Sequence, residues 1–400
     1  MSQCVLAAAF ASNHSSKNKA DDTNEHEVNV RACSSTQHSH ALVERGTNSK
    51  DAANRGPVQA FIAAVPKAEL HIHLEGTLEP EMMLELAARN GLPPPYLSAE
   101  AARQAYQFKD LQSFLDLYYN GCAVLLTSQD FYDLAWAYFE RAASENVKHI
   151  ELFFDPQTHL ERNVPFSTFL PGILDAVTTA KEKLGLNVRL IMCFLRHMSE
   201  ESAIETLNQA KPFREHLLGV GLDSSEANRP PSLFKRVYGM AKALGLRLVA
   251  HAGEEGPAEY VWEAIKDLGV ERVDHGIRSL EDTALVTHLE EQRIGITLCP
   301  LSNMRLKVFP DEATAARILG KFILETKLLV MLNSDDPAYF GGYLMDNYLF
   351  VQRILSLKVE QVARLAKNSF SASFLSDEER QHYHHKIDQV FSEYIKLVSK

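Results

Sequence analysis

The sequence PKAELHIHLEGT, residues 66–77, contains a run from Glu69 to Leu74 in which polar and apolar side chains alternate. A period of two indicates a β-strand with two different faces. His71 and His73 lie two positions apart, so both imidazoles are expected on the same face. Two histidines on one rigid face supply half of a metal site, whereas without further ligands they are equally well explained as surface histidines. The rest of the chain decides between these interpretations.

The composition is that of a soluble globular protein, because 46% of the 400 residues are hydrophobic and 23% are charged. No apolar run approaches the ~18 residues of a membrane span. The net charge of −11 argues against a broad nucleic-acid surface. The five cysteines are odd in number and scattered, which favours reduced thiols. We expect a cytoplasmic protein, with a nuclear pool left open, without nucleic-acid or membrane partners and with an undetermined oligomeric state.

The N-terminal segment differs in composition from the rest of the chain. Residues 1–56 are rich in Ser, Asn, Thr, His and Asp and contain few large apolar residues. Such a segment buries too little surface to offset the entropy lost on ordering, so we predict a disordered polar extension. Its apolar start, MSQCVLAAAFAS, is short and has no Lys or Arg before it, which argues against a secretion signal. We predict that residues 57–400 form one domain.

From residue 57 onwards, strand-like apolar runs alternate with helical patterns. We predict eight strands, at residues 69–74, 147–154, 187–195, 217–223, 246–251, 272–275, 295–299 and 327–333. This alternation favours an α/β fold, the (β/α)8 TIM barrel, over an open doubly wound sheet, for which no Gly-rich phosphate motif is present. A helical insertion after strand one, at residues 79–146, and a C-terminal helical extension, at residues 343–400, account for the additional length.

In such a barrel the active site lies where the strands end at their carboxyl side. Residue types that bind metals or transfer protons occur at four of these ends. They are His71 and His73 after strand one, His251 and Glu254 after strand five, Asp274 and His275 after strand six, and Asp335 and Asp336 after strand eight. Three imidazoles and a carboxylate suit one divalent ion, with zinc as the first choice.

An ion with one open position lowers the pKa of bound water to ~7 and so makes hydroxide available at neutral pH. Glu254 lies three residues after His251, where it could reach a substrate without binding the metal. A shielded carboxyl with a raised pKa can act there as general acid and base. If Asp335 binds the metal, the adjacent Asp336 points elsewhere and can accept a hydrogen bond from the substrate.

The segments PKAELHIHLEGTLEP, HAGEEGP, RVDHGIR, CPLSN and NSDDP resemble, in order, the signature segments of the adenosine/adenine deaminase family. The resemblance runs from residue 57 to about residue 370 and implies a metal-dependent barrel that hydrolyses the exocyclic amine at purine C6. It implies one zinc ion per subunit, bound by His71, His73, His251 and Asp335. It further implies that Glu254 protonates the ring nitrogen next to the attacked carbon, that His275 orients the hydroxide, and that Asp336 holds the imidazole edge of the purine.

Two departures from the adenosine deaminase pattern point to the adenine deaminase branch. Glu75 stands where that pattern usually has Asp in contact with ribose, and Ser224 lies in a segment that there contains Gly. Both changes would crowd the ribose, so we expect Glu75 and Ser224 to help select adenine, with hypoxanthine and ammonia as products in purine salvage. The alternatives are adenosine or an N6-substituted adenine as substrate, another hydrolase of the same metallo-barrel superfamily that acts on a cyclic amide, and a purine- or metal-binding protein without turnover.

Overall fold

The computed structural model describes residues 56–398. It contains eight parallel β-strands, ordered β1 to β8 in one sheet. The strands are β1 Lys67–Glu69, β2 Val147–Phe154, β3 Asn187–Leu195, β4 Leu217–Asp223, β5 Arg247–Ala252, β6 Arg272–His275, β7 Gly295–Leu298 and β8 Leu329–Leu332. A parallel bridge between Ile72 and Asp335 joins the first and last strands beyond their regular ends. The sheet thereby curls into a (β/α)8 barrel, which confirms the predicted fold class.

Helices follow the strands around the outside of the barrel, and the predicted insertion and extension are both helical. Helix α1 is Pro57–Ala64, and the insertion contains α2 Pro80–Arg89, α3 Ala99–Ala105, α4 Leu111–Gly121 and α5 Ser128–Ser144. The barrel helices are α6 Pro156–Leu160, α7 Phe166–Leu184, α8 Glu200–Ala210, α9 Lys235–Ala243, α10 Ala258–Glu263, α11 Thr283–Gln292, α12 Pro300–Arg305, α13 Glu312–Gly320 and α14 Pro337–Phe340. The extension contains α15 Leu344–Leu355, α16 Val359–Ser371 and α17 Asp377–Val398.

The regular part of β1 is shorter than the predicted strand and lies earlier in the chain. The prediction placed the strand at residues 69–74, whereas β1 ends at Glu69. The reason is a contact with a distant segment: the backbone N–H groups of Leu70 and His71 donate to Asn333 Oδ1, at 2.8 and 3.2 Å, and the ladder is interrupted there. Pairing resumes as single bridges at Ile72 and His73. The histidines therefore lie on an extended segment held between the neighbouring strands.

Short-range sequence signals set the ends of several helices. Thr127 caps the start of α5 by accepting from the backbone of Asp130, whose side chain completes a capping box. The helical segment before β6 ends at Gly269, which has φ +70° in the left-handed region where glycine carries no steric penalty. Helix α13, Glu312–Gly320, continues into a π-turn, Lys321–Glu325. These caps fix where each strand re-enters the barrel.

The barrel interior beneath the strand ends is packed rather than hollow. Phe153, Ile191, Cys193 and Val249 form a fully buried apolar cluster contributed by β2, β3 and β5. The ring of Phe153 lies 5.1–5.8 Å, centroid to centroid, from three histidine rings at the top of the barrel. This cluster forms a rigid floor under the polar groups above it. Among residues 56–398, no helix is both long enough and apolar enough to cross a membrane.

Candidate metal and active site

Side chains from four strand ends converge at one mouth of the barrel. His71, His251, His275 and Asp335 are all buried, and each offers a donor atom within 4.8 Å of the others. His73 approaches the same point, because its Nε2 lies 3.2 Å from His251 Nε2 and 3.5 Å from Asp335 Oδ1. The structure therefore brings together all four residues predicted to bind metal and adds His275 to the cluster. Distances alone do not rank His73 against His275 as a ligand.

The charge states of these side chains suit a divalent cation. Burial lowers the pKa of His73 and of His275 to about 3, which leaves both imidazoles neutral, the form that coordinates metals. Burial would raise the pKa of Asp335, but the neighbouring His71 and its hydrogen bond hold it well below the usual value. Neutral ring nitrogens that face one another at 3.2 Å, beside a carboxylate, present several lone pairs to a single point. A cation is the group that these residues fit.

Two further side chains fix the orientation of His71. The Thr297 hydroxyl donates to Asp274 Oδ1 at 2.9 Å and accepts from His71 Nδ1 at 2.8 Å. This arrangement places a proton on Nδ1 and turns Nε2 towards Asp335 Oδ1, 3.2 Å away, on the side where a metal would bind. Asp274 Oδ2 also lies 3.9 Å from His251 Nδ1. Because this carboxylate is also 3.6 Å from His71 Nδ1, it lies beside two of the converging histidines.

The loop after β5 carries Glu254 and is held by one buried carboxylate. Glu226 accepts hydrogen bonds from four successive backbone N–H groups, those of residues 253–256, at 2.7, 3.0, 2.8 and 2.9 Å. On the opposite side, Asn303 Nδ2 donates to Glu254 Oε1 at 3.0 Å. Arg196 donates to the carbonyl of His251 at 2.7 Å and braces the strand end. The position of the Glu254 carboxyl is thus set by backbone as well as side-chain contacts.

Glu254 and His275 lie next to each other and differ in the proton they hold. Burial, together with the charge of Asp335, raises the pKa of Glu254 well above the usual value, which favours the protonated form of this carboxyl. His275 Nε2 lies 3.5 Å from Glu254 Oε2 and 3.8 Å from Asp335 Oδ2. The pair therefore combines a proton donor with a neutral proton acceptor in one buried site.

A cavity opens above these groups and contains most of the predicted site residues. His73, Ser224, His251, Glu254, His275, Asp335 and Asp336 line it, together with Asp155, Asp223 and an apolar wall from α4 that includes Phe114, Leu115 and Tyr118. Asp336 Oδ1 is buried without a hydrogen-bond partner in the described part of the chain. A Cβ atom on Gly76 would lie 1.9 Å from this oxygen, so only glycine leaves room for it.

The two residues predicted to distinguish adenine from adenosine occupy different layers. Ser224 lines the cavity, and its Oγ is held by Tyr119 at 3.0 Å and by His197 at 2.7 Å. Glu75 is fully buried behind the cavity wall, where its Oε1 accepts from His159 Nε2 at 2.6 Å and from the backbone of Asp155 at 3.2 Å. Direct contact between Glu75 and a substrate is thus not what the structure presents, and its part in selectivity stays a prediction.

Three site residues adopt backbone conformations that are uncommon for residues other than glycine. Ser224, His275 and Asp335 have φ values of +74°, +63° and +68°. Left-handed backbone at such residues costs about 1–3 kcal/mol each and persists only where the surroundings enforce it. The residues lie directly after β4, at the end of β6 and after β8. At each of these three strand ends, the chain turns in a way that directs polar groups towards the cavity.

Sequence reasoning missed Asp155, Asp223, Glu226 and Thr297 as parts of the site. Asp155 follows β2 and Asp223 ends β4, so the rule that strand ends carry the site was sufficient to nominate both. Thr297 lies on β7, beside β6. Glu226 follows an irregular loop, and nothing in its spacing signals that one carboxylate receives four N–H groups. That contact depends on the path of the folded backbone.

The site lies at the carboxyl ends of the strands of a (β/α)8 barrel. It combines a carboxyl group that can donate a proton with converging histidines and a carboxylate. This combination defines the class of protein as a metal-dependent hydrolase. The family profile described as adenosine deaminase matches residues 66–390. The chain belongs to this family, as the sequence motifs indicated, and the family implies a divalent metal ion.

Similar proteins narrow the position within the family. An adenine deaminase from Acinetobacter baylyi is 53% identical over 82% of this chain and 98% of its own length. An adenine deaminase from Vibrio parahaemolyticus is 52% identical over 84% of this chain and 99% of its own length. The crystal structure of adenine deaminase from Arthrobacter aurescens superposes with a TM-score of 0.78 at 46% identity, over 83% of this chain and 99% of that one. The crystal structure of a zinc-bound amidohydrolase from Burkholderia ambifaria superposes with a TM-score of 0.77 at 26% identity, over 86% of this chain and 96% of that one. The predicted adenine deaminase branch and the predicted hydrolase class are confirmed.

Proposed function

We propose that this protein is a zinc-dependent adenine aminohydrolase that converts adenine and water into hypoxanthine and ammonia. The observation that carries the proposal is the buried Glu254 carboxyl, held by Asn303 beside the converging histidines of a cavity that also contains Asp336. The relatives named adenine deaminase, at 52–53% identity over nearly their full length, support the choice of adenine. A role in purine salvage within the cytoplasm is part of the same proposal.

His71, His73, His251 and Asp335 would hold the metal ion, with Thr297 and Asp274 fixing the tautomer of His71. Zinc supplies a hydroxide nucleophile at neutral pH by lowering the pKa of bound water to ~7. Three imidazoles and one carboxylate are a common ligand set for this ion. The neutral His275 would orient the attacking oxygen and accept its proton.

The remaining steps are proton transfers carried out by the protein. Glu254 donates its proton to N1 of the purine while oxygen adds to C6, so the ring does not accumulate negative charge. The exocyclic nitrogen then takes up the proton that His275 has accepted from the attacking oxygen and leaves as ammonia, and C6 becomes the carbonyl of hypoxanthine. Asp336 would hold N7, at the imidazole edge, by donating a hydrogen bond from its carboxyl group. Burial and the nearby charge of Asp335 raise the pKa of Asp336 well above the usual value, which favours the protonated form that this hydrogen bond requires.

The test is an ultraviolet assay of purified protein on adenine, adenosine, AMP and N6-isopentenyladenine, with metal content measured on the same sample. We expect adenine to be turned over with the highest kcat/KM and zinc to be present at one equivalent per chain. Preference for adenosine, or for the N6-substituted base, would overturn the proposed substrate and favour one of those two alternatives.

A second experiment isolates the role of Glu254. Replacing it by Gln preserves the shape and the oxygen that accepts from Asn303 but removes the transferable proton. We expect kcat to fall about 10²–10⁴-fold, the contribution usual for general acid–base catalysis, while zinc content stays at the wild-type level. Near-normal turnover by Glu254→Gln would refute the assigned role.

A further inference from the structure

Two carboxyl groups line the cavity in a sector that the reaction described above does not use. Asp155 follows β2 and Asp223 ends β4, and their side chains lie close to His73: each of the three has a polar atom within 4.8 Å of the others. Both aspartates are almost fully buried, with 2% and 3% of their surface exposed. Buried carboxyl groups without a compensating cation carry a cost in free energy, so their presence in a cavity wall calls for a ligand.

The hydrogen bonds of this pair are incomplete. Asp155 Oδ2 accepts from the hydroxyl of Tyr118 at 3.2 Å, and the Asp155 and Asp223 carboxyl groups share a hydrogen bond with each other. Apart from this shared bond, neither Asp155 Oδ1 nor Asp223 Oδ1 has a hydrogen-bond partner among the described residues. Asp223 Oδ2 lies 3.5 Å from His73 Nδ1, which suits a residue that orients this histidine. Ser224 is already held by Tyr119 and His197. Asp155 Oδ1 is therefore an acceptor in this sector that is left for a ligand.

Free adenine carries a group that matches this acceptor. Its imidazole ring has one N–H, at N9, whereas N1, N3 and N7 are acceptors. In the proposed reaction Glu254 donates its proton to N1 and Asp336 donates a hydrogen bond to N7. No residue has yet been assigned to the N9 side of the base. In a nucleoside the sugar replaces this proton, so the same position has no donor and needs more space.

We propose that Asp155 accepts a hydrogen bond from the N9–H of the bound purine and thereby selects the free base over its nucleoside. The inference rests on the proposed function and adds the residue that decides between base and nucleoside. A site built to pair with an N–H discriminates strongly against the analogue that lacks it, by up to about 10⁴–10⁵-fold, because its own buried group is then left unpaired.

The structure also contains a chain of contacts that positions Asp155. Arg162 Nη2 donates to His159 Nδ1 at 2.8 Å, and His159 Nε2 donates to Glu75 Oε1 at 2.6 Å. The same Oε1 accepts from the backbone N–H of Asp155 at 3.2 Å. Glu75 is therefore a positioning residue: it holds the turn after β2 from behind the wall. This gives Glu75 an indirect part in selectivity in place of the direct ribose contact that the sequence comparison suggested.

The test compares adenine with 9-methyladenine, which lacks only the N9 proton and adds one methyl group. Wild-type kcat/KM should be at least about 10³-fold higher for adenine. Asp155→Ser should lower kcat/KM for adenine at least about 100-fold and leave that for 9-methyladenine within about threefold, so the ratio collapses. Asp155→Asn, which keeps an acceptor oxygen, should recover part of the preference and guards against a merely structural loss.

Binding and metal measurements complete the design. Hypoxanthine should inhibit the wild-type enzyme far better than 9-methylhypoxanthine, and Asp155→Ser should remove this difference. The matched control is Asp116→Ser, which removes an exposed carboxyl from α4, the helix that forms the apolar wall, and should change neither ratio. An unchanged adenine to 9-methyladenine ratio in Asp155→Ser overturns the inference, as does a second metal equivalent that is lost with this substitution. Failure of the wild-type enzyme to deaminate adenine at all would instead overturn the proposed function.

Discussion

The contact between Glu226 and the loop after β5 makes a sharp quantitative prediction. Oε1 accepts from the backbone of Gly253, and Oε2 accepts from Glu254, Glu255 and Gly256. Glu226→Gln keeps one oxygen, which in its better orientation retains three of these donors. The new amide nitrogen then faces the N–H of Gly253, a donor facing a donor.

The magnitude follows from the lost contact. A hydrogen bond to a charged group is worth about 1.5–3 kcal/mol, and leaving a buried N–H unpaired costs about 1–3 kcal/mol. The loop can relax, so we expect Glu226→Gln to lower the free energy of unfolding by about 3 kcal/mol. Because the same loop positions Glu254, and misplacement of a catalytic group by 1 Å can cost about 10²-fold, kcat/KM for adenine should fall 10- to 100-fold.

Denaturant unfolding and steady-state kinetics on the same preparations measure both effects. Glu255→Gln is the matched control, since it removes an adjacent carboxylate from the same loop but leaves the backbone contacts with Glu226 in place. A free energy of unfolding within about 0.5 kcal/mol of wild type, together with kcat/KM within twofold, would refute the claim that this carboxylate holds the loop.

Three further substitutions test other contacts. Thr297→Val removes the hydroxyl that orients His71 and should weaken zinc affinity about 10–100-fold in a chelator competition, with activity restored at saturating zinc. Gly76→Ala places a methyl group on Asp336 and should lower kcat/KM more than about 100-fold at unchanged zinc content. Burial raises the pKa of Glu69 to about 7, so the folded state binds its proton more tightly than the unfolded chain, and stability falls as pH rises from about 4.5 to 7. Glu69→Gln should flatten this pH dependence by about 3 kcal/mol.

Each of these outcomes has a control or a contradicting result. Gly239→Ala adds a methyl group into open space on α9 and should be neutral for activity, so equal loss in both glycine variants would point to a general effect. Unchanged zinc affinity in Thr297→Val would contradict the proposal that Thr297 orients His71. For Glu69, parallel unfolding curves of wild type and variant between pH 5 and 8 would contradict the raised pKa.

The sequence was sufficient for the elements whose signal is local. The predicted bounds of the strands at residues 147–154, 187–195, 217–223 and 272–275 agree with the structure residue for residue. Three of them, at residues 147–154, 187–195 and 217–223, are rich in apolar residues, as expected where both faces of a parallel barrel strand are covered, and the fourth, RVDH, is a short strand of mixed composition. The residues of the candidate metal site could also be predicted from the sequence, because the strand ends of such a barrel meet at one mouth.

What escaped prediction depends on contacts between distant segments. The bounds of β1 were wrong because Asn333, more than 260 residues away, takes the backbone donors of Leu70 and His71. Glu226 and Thr297 serve the site through side-chain contacts that no spacing rule encodes. The predicted contact of Glu75 with the substrate region depends in the same way on distant neighbours, because its Oε1 is taken by His159 and by the backbone of Asp155.

The seam between the first and last strands carries a constraint on how this protein can change. The barrel closes through backbone hydrogen bonds made by the metal-site residues themselves: His73 N–H donates to the carbonyl of Asp335, and Asp335 N–H donates to that of His71, both at 3.1 Å. The same short segments therefore close the barrel and carry the side chains of the candidate metal site. Because these bonds are made by the backbone, a change of side chain at one of these positions leaves them available, whereas a shift of the seam would move His71, His73 and Asp335 together.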